Sequence, residues 1–349
     1  MKCVAIGDTF ITPEMMKNGI EKYPYFHFSE IEYFFFGLNS RSEMRNIVKI
    51  IETGGFETLD LPSGLIEAVT DADVIMCHLC PITKKVLESA KQLKLVLCNR
   101  GGHENIDVEA CTAKNVGVLL NPSHNANAVA EFTVGLILNE TRNITRSAVA
   151  VNKGEWREQY PNTATTIHEM CDMTIGLIGF GSVAKLVYEK LKAFGCRFLI
   201  TDPFGNYDDI NKNIAKFVPL EDLLKNSDIV SLHARLSRKA ILLGKNEFKL
   251  MKPTAYFINT ARSYMVDYKA LANALKSGEI MGAAVDVFDK EPVDPDNPLL
   301  GLDNCTLTNH RGGDTVNSYS DSPAMMMKAC QEYMEGDNPR FWINPTVKR

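Results

Sequence analysis

The chain has 349 residues, 45% hydrophobic and 23% charged, with a formal net charge of −5. That length suffices for two domains with cores of their own. The acidic balance, without a dense basic stripe, excludes a general nucleic-acid binder, and no apolar run is long enough for a membrane span.

Met1 to Asp8 reads as an immediate first strand, not a leader. The nine cysteines are odd in number and scattered through apolar stretches, which suits reduced thiols in a cytoplasm. As far as about residue 122, predicted strands (2–6, 31–36, 73–77, 94–98, 116–120) alternate with predicted helices (13–20, 42–54, 63–70, 83–90, 107–114). Such alternation implies a parallel sheet covered on both faces. Within it, Cys77-His78-Leu79-Cys80 invites a metal or redox reading, but no second C-x-x-C completes a ligand set. Buried thiols are the better expectation, and no metal is assigned. Asn99-Arg100-Gly101-Gly102-His103 follows a strand directly. Its paired glycines offer bare N–H groups to a carboxylate, though a plain chain reversal explains them equally well.

After the turn Asn121-Pro122-Ser123-His124, with Asn125 or Asn127 as cap, one long helix is predicted from about Ala126 to Val149. Residues 152–172 are polar and irregular, with Trp156 expected as a buried anchor. Then comes the most informative stretch, Thr174-Ile-Gly-Leu-Ile-Gly179-Phe-Gly181-Ser182-Val183-Ala184. A strand, a glycine turn and a helix start in that order make an anion site, since free N–H groups and the helix dipole face the turn. Gly179 permits the sharp turn, Gly181 a close backbone approach to a pyrophosphate, and Ala184 close packing of helix on strand. About twenty residues on, the next strand ends in Asp202, the acid that hydrogen-bonds an adenosine ribose hydroxyl in a dinucleotide fingerprint. A carboxylate there repels a 2′-phosphate, and no Arg or Lys stands at Pro203, Phe204 or Gly205. NAD is therefore expected over NADP.

A helix at 220–226, strands within 228–233, 255–259, 281–286 and 305–308, and helices at 244–251 and 268–276 complete a second doubly wound unit. A last helix, 323–335, is expected to return to the first. Three of these strands lead into Arg262, Asp286 and His310, and Glu291 follows Asp286. Each alone is unremarkable. Together, beside a dinucleotide site, they supply a cation, a general acid/base and an acid to orient it.

These motifs resemble the NAD-dependent D-isomer-specific 2-hydroxyacid dehydrogenases, phosphoglycerate dehydrogenases among them. The resemblance rests on Asn125 to Glu131, Gly179 to Ala184, Met251 to Arg262, Val266-Asp267, Gly282 to Pro292 and Leu307 to Gly313. It implies two α/β parallel-sheet domains: a Rossmann NAD domain (123–317) inserted into a flavodoxin-like substrate domain (1–122 with 318–349). It also implies that Arg262 holds the substrate carboxylate and polarises the keto oxygen, that His310 is the acid/base, and that Glu291 orients it. Gly179, Gly181, Ser182, Val183, Asp202, Thr260, Ala261, Gly312 and Gly313 match cofactor positions, with Asp286 facing the nicotinamide carboxamide. Arg100, Gly101 and Gly102 match the turn for the substrate carboxylate. A homodimer through the helix 126–149 and the arm after it is implied as well.

Ser263, Asn309 and Arg311 depart from the family pattern. With Arg100, His103 and His124, Arg311 suggests enough positive charge for a doubly anionic 2-keto acid; the alternative is that Arg311 points to solvent. The rival expectation is an NAD(H)-sensing corepressor or binding protein on the same scaffold.

Overall fold

Strands that read as unbroken apolar runs are buried on both faces, as parallel strands between helical layers must be. The computed structural model describes residues 1–160, 167–204, 210–236 and 239–348. The chain divides into two units, Met1–Asn125 with Thr315–Arg349, and Ala126–Asp314.

The first unit carries β1 (Lys2–Gly7), β2 (Glu30–Phe35), β3 (Val74–Cys77), β4 (Leu95–Cys98) and β5 (Gly117–Leu120), in the order β2-β1-β3-β4-β5. All pairings are parallel. Alternate side chains feed two cores. Val4, Ile6, Ile75, Val96 and Val118 pack with Met44, Ile51, Leu65 and Val86. Cys3, Ala5, Met76, Leu97 and Leu119 pack with Met16, Met326, Met327 and Tyr333, the last three from the returning helix Ser322–Met334. The strand order reverses between β1 and β3, where open sheets collect ligands at the carboxyl edge.

The second unit carries β6 (Thr174–Ile178), β7 (Arg197–Thr201), β8 (Ala215–Phe217), β9 (Ile229–Leu232), β10 (Tyr256–Asn259), β11 (Gly282–Val285) and β12 (Cys305–Leu307). Their order is β12-β11-β10-β9-β6-β7-β8, with the switch between β6 and β9. This is the doubly wound dinucleotide arrangement with an added edge strand, β12.

The structure corrects three expectations. The long helix is two helices, Ala126–Arg142 and Ile144–Asn152, broken at Asn143, whose φ is +53°. Asparagine tolerates that left-handed conformation. The corner is then held by a buried Arg146–Glu140 pair at 2.7 Å and by Asn139 Oδ1, which accepts from the N–H and hydroxyl of Thr145 at 2.8 and 2.7 Å. Asn127 sits inside the helix, where it donates to Glu131 Oε1 and accepts from Lys190 instead of capping. Trp156 is 83% exposed, not an anchor; Met170 from that segment and Met173 just after it fill the core. Residues 161–166 of the irregular stretch, and Gly205 after Asp202, lie outside the described residues. Among the described residues no helix is long and apolar enough to cross a membrane.

Candidate active site

The turn after β6 has the geometry an anion site needs. Gly179 adopts φ +87°, and a side chain there would run into the backbone of His233 and Ala234, 2.6–2.9 Å away. A Cβ on Gly181, in contrast, would meet nothing within 4 Å. The helix Ser182–Leu191 starts on this residue, which has no side chain to cap it. Asp202, at the end of β7, accepts from the N–H of Phe180 (2.6 Å) and of Phe204 (2.8 Å), which fixes a carboxylate beside the turn. Open space at Gly181 before a helix start, with an acid fixed alongside, fits a dinucleotide with an unphosphorylated adenosine ribose.

β10, β11 and β12 are neighbours, so the residues that follow them share one sheet edge. After β10, buried Asn259 shapes the turn: its Oδ1 accepts from Ala261 N–H at 3.0 Å and its Nδ2 donates to Arg262 O at 3.3 Å. Asn259 is itself held by Tyr268, whose hydroxyl donates to Val287 O. Thr260 contacts Thr133 through its hydroxyl at 2.8 Å. The Arg262 guanidinium is exposed, with one N–H on the Ala261 carbonyl.

After β11, buried Asp286 accepts three hydrogen bonds from the segment that carries His310: Thr308 Oγ1 (2.6 Å), Arg311 N–H (2.9 Å) and Gly312 N–H (2.9 Å). His310 has φ +55°, a strained value for a residue with a side chain, and these bonds on either side hold it there. Its Nδ1 lies 3.0 and 2.9 Å from the two Glu291 oxygens. Glu291 is steadied in turn by the N–H of Phe288 at 3.1 Å.

In the first unit, the turn after β4 packs Gly101 against Pro122, where a Cβ would lie 2.9 Å from Cα, and Gly102 against the Glu104 carboxylate. Among the described residues neither glycine N–H has an acceptor. Arg100 Nη2 is 3.4 Å from Glu104 and 3.7 Å from Glu52, while its Nη1 is buried with no partner among the described residues. The expected excess of positive charge is smaller than the sequence suggests. Arg311 pairs with Asp314. Burial, helped by nearby His78 and Arg100, holds His124 down at about 4, so it is neutral near pH 7. Sequence reasoning assigned no role to Asn259, Tyr268, Thr308 or Asp8, and weighed His78 only as part of a C-x-x-C; their proximity in the fold singles them out.

Residues 134–312 match the D-isomer specific 2-hydroxyacid dehydrogenase, NAD binding domain family. A glyoxylate reductase of Korarchaeum cryptofilum is 33% identical over 285 residues, 81% of this chain and 86% of that protein. A D-3-phosphoglycerate dehydrogenase of Methanocaldococcus jannaschii is 34% identical over 311 residues, 85% of this chain and 57% of that protein. The NAD-complexed crystal structure of a D-isomer specific 2-hydroxyacid dehydrogenase from Lactobacillus delbrueckii ssp. bulgaricus shares the fold, with a TM-score of 0.77 at 22% identity over 99% of this chain and 100% of that one. The chain belongs to the D-isomer-specific 2-hydroxyacid dehydrogenase family. It is an NAD-dependent oxidoreductase, and the relatives found give no support to a corepressor.

Proposed function

We propose that the chain reduces small, singly charged 2-keto acids to D-2-hydroxy acids, with His310 as the general acid. The observation that carries this is the Glu291 carboxylate against Nδ1 of His310, at 2.9 Å. A carboxylate only accepts, so Nδ1 bears a proton and Nε2 is presented to substrate. NADH supplies the hydride when bound. In reduction Nε2 of His310 gives its proton to the keto oxygen as negative charge builds there; in oxidation the same nitrogen takes it back. The Arg262 guanidinium would offset that charge and bind the substrate carboxylate; in the first unit, Arg100 and the N–H groups of Gly101 and Gly102 are the candidates for holding a carboxylate. Gly179, Gly181, Ser182 and Val183 would hold the diphosphate, Asp202 the ribose, and Thr260, Ala261, Asp286, Gly312 and Gly313 the nicotinamide end.

The neutral His124 and the pairing of Arg311 with Asp314 support a substrate with a single negative charge. The named activity of the glyoxylate reductase relative agrees with it. NADH oxidation by glyoxylate and pyruvate, compared with oxaloacetate and 2-oxoglutarate, tests the reading; faster turnover of the dianions restores the doubly anionic substrate. We further infer a cytoplasmic homodimer. Ile144, Val149, Val151 and Trp156 are all exposed on and just after the helix Ile144–Asn152, apolar side chains that a second copy would cover. A monomer by analytical ultracentrifugation rules the dimer out.

A further inference from the structure

Packing asks only for a phenylalanine ring where Tyr268 stands. The residue opens the helix Tyr268–Ser277, is 8% exposed, and meets Phe288 edge to face with ring centroids 6.3 Å apart. A hydroxyl on a ring buried so deeply must find partners or destabilise the fold. This one finds two. Asn259 Nδ2 donates to it at 3.2 Å, and it donates in turn to the carbonyl of Val287. The bond from Asn259 occupies a lone pair of the oxygen and leaves its single proton aimed at that carbonyl. Burial, with Asp289 and Glu291 nearby, pushes the hydroxyl well above the ordinary phenol range, so it stays a donor at the pH of the reaction.

The peptide group that receives this proton is the one that holds Glu291. Its oxygen belongs to Val287 and its nitrogen to Phe288, whose N–H donates to Glu291 Oε1 at 3.1 Å. Because the peptide is planar, a bond that fixes the carbonyl also fixes the direction of the N–H at the other end. A donor on the carbonyl draws electron density from the amide nitrogen as well, which strengthens that N–H as a donor. Glu291 needs such restraint. Its side chain is 40% exposed, and among the described residues its carboxylate hydrogen-bonds only this N–H and Nδ1 of His310. Without a firm anchor the carboxylate swings about its side-chain bonds and leaves the imidazole. A continuous chain of bonds thus runs from Asn259 through Tyr268 and the Val287–Phe288 peptide to Glu291 and His310.

We propose that Tyr268, oriented by Asn259, is a positioning residue for the proton transfer: through the Val287–Phe288 peptide its hydroxyl holds the Glu291 carboxylate against Nδ1 of His310. This rests on the reading of His310 as the general acid and Glu291 as the group that orients it.

The test measures kcat and KM for glyoxylate at saturating NADH in Tyr268→Phe, Glu291→Ala and the double variant. Phenylalanine keeps the ring and its packing and removes the hydroxyl alone. Tyr268→Phe is expected to lower kcat about tenfold, with little change in KM or in NADH affinity by fluorescence titration. Glu291→Ala should lose more. In its background the tyrosine change should cost less than about twofold, since the group it acts through is gone. A purely structural hydroxyl predicts instead the same loss with or without Glu291. An unchanged kcat in Tyr268→Phe, a loss that persists undiminished in the Glu291→Ala background, or a collapse of NADH affinity alongside kcat overturns this inference alone. A wild-type protein inert toward glyoxylate and pyruvate, or full kcat in Glu291→Ala, overturns the proposed roles and this inference with them.

Discussion

Glu291 approaches Nδ1 of His310 with both carboxylate oxygens, at 3.0 and 2.9 Å. Both side chains are substantially exposed, so the contact adds little to stability and matters through orientation. We expect His310→Gln to lower kcat by about 100- to 10,000-fold, the range for loss of a general acid. Glu291→Gln should cost less, since an amide oxygen still accepts from Nδ1. NADH affinity by fluorescence titration should change little in either variant, and a parallel collapse of affinity and kcat would contradict these roles.

Asp286 is the anchor of the His310 segment. Asparagine at this position keeps one acceptor oxygen but turns an NH2 toward donors it cannot satisfy. We expect Asp286→Asn to lose about 1–3 kcal/mol, read as a drop in denaturation midpoint, together with a fall in kcat as His310 leaves its left-handed conformation. Full activity in that variant would show that the three bonds are dispensable.

Asp202 should set the choice of dinucleotide. Two unit charges 4 Å apart at an effective dielectric of 20 repel by about 4 kcal/mol. Replacing Asp202 with serine should lower the ratio of kcat/KM for NADH over NADPH by at least tenfold. An unchanged ratio places the discrimination elsewhere.

His124 and His233 tie stability to pH. Burial is the leading cause for both and holds each at about 4, against 6.5 when free. The unfolded chain therefore binds more protons than the folded one between those values. Their contribution is complete above about pH 6.5 and is lost as pH falls toward 4, by up to about 3 kcal/mol for each. Urea midpoints at pH 7, 5.5 and 4.5 should decline in that order, and His233→Gln should flatten the decline.

The glycine turn, Asp202 and the strand-end acid, cation and imidazole were legible because local sequence dictates them. Gly179 must turn with positive φ, and parallel strands must be apolar on both faces. What escaped reading depends on distant neighbours. Asp8 and His78 are 70 positions apart, and nothing near either residue announces the other. The break at Asn143 escaped because the flanking residues suit a continuous helix; the buried Arg146–Glu140 pair holds the corner only after the chain has bent. Trp156 was misplaced because a large apolar side chain reads as core even where it faces outward. β8 has three residues, too few for any periodicity to show.

The most direct measurement is a single-turnover reaction of pyruvate with enzyme-bound NADH, with the hydroxy acid resolved by chiral chromatography, in the wild-type and His310→Gln proteins. The expected result is one equivalent of D-lactate from the wild type, and almost none from a variant that still binds NADH. Formation of the L-isomer, or equal yields from both proteins, contradicts the assignment of His310 as the proton donor of a D-specific reductase.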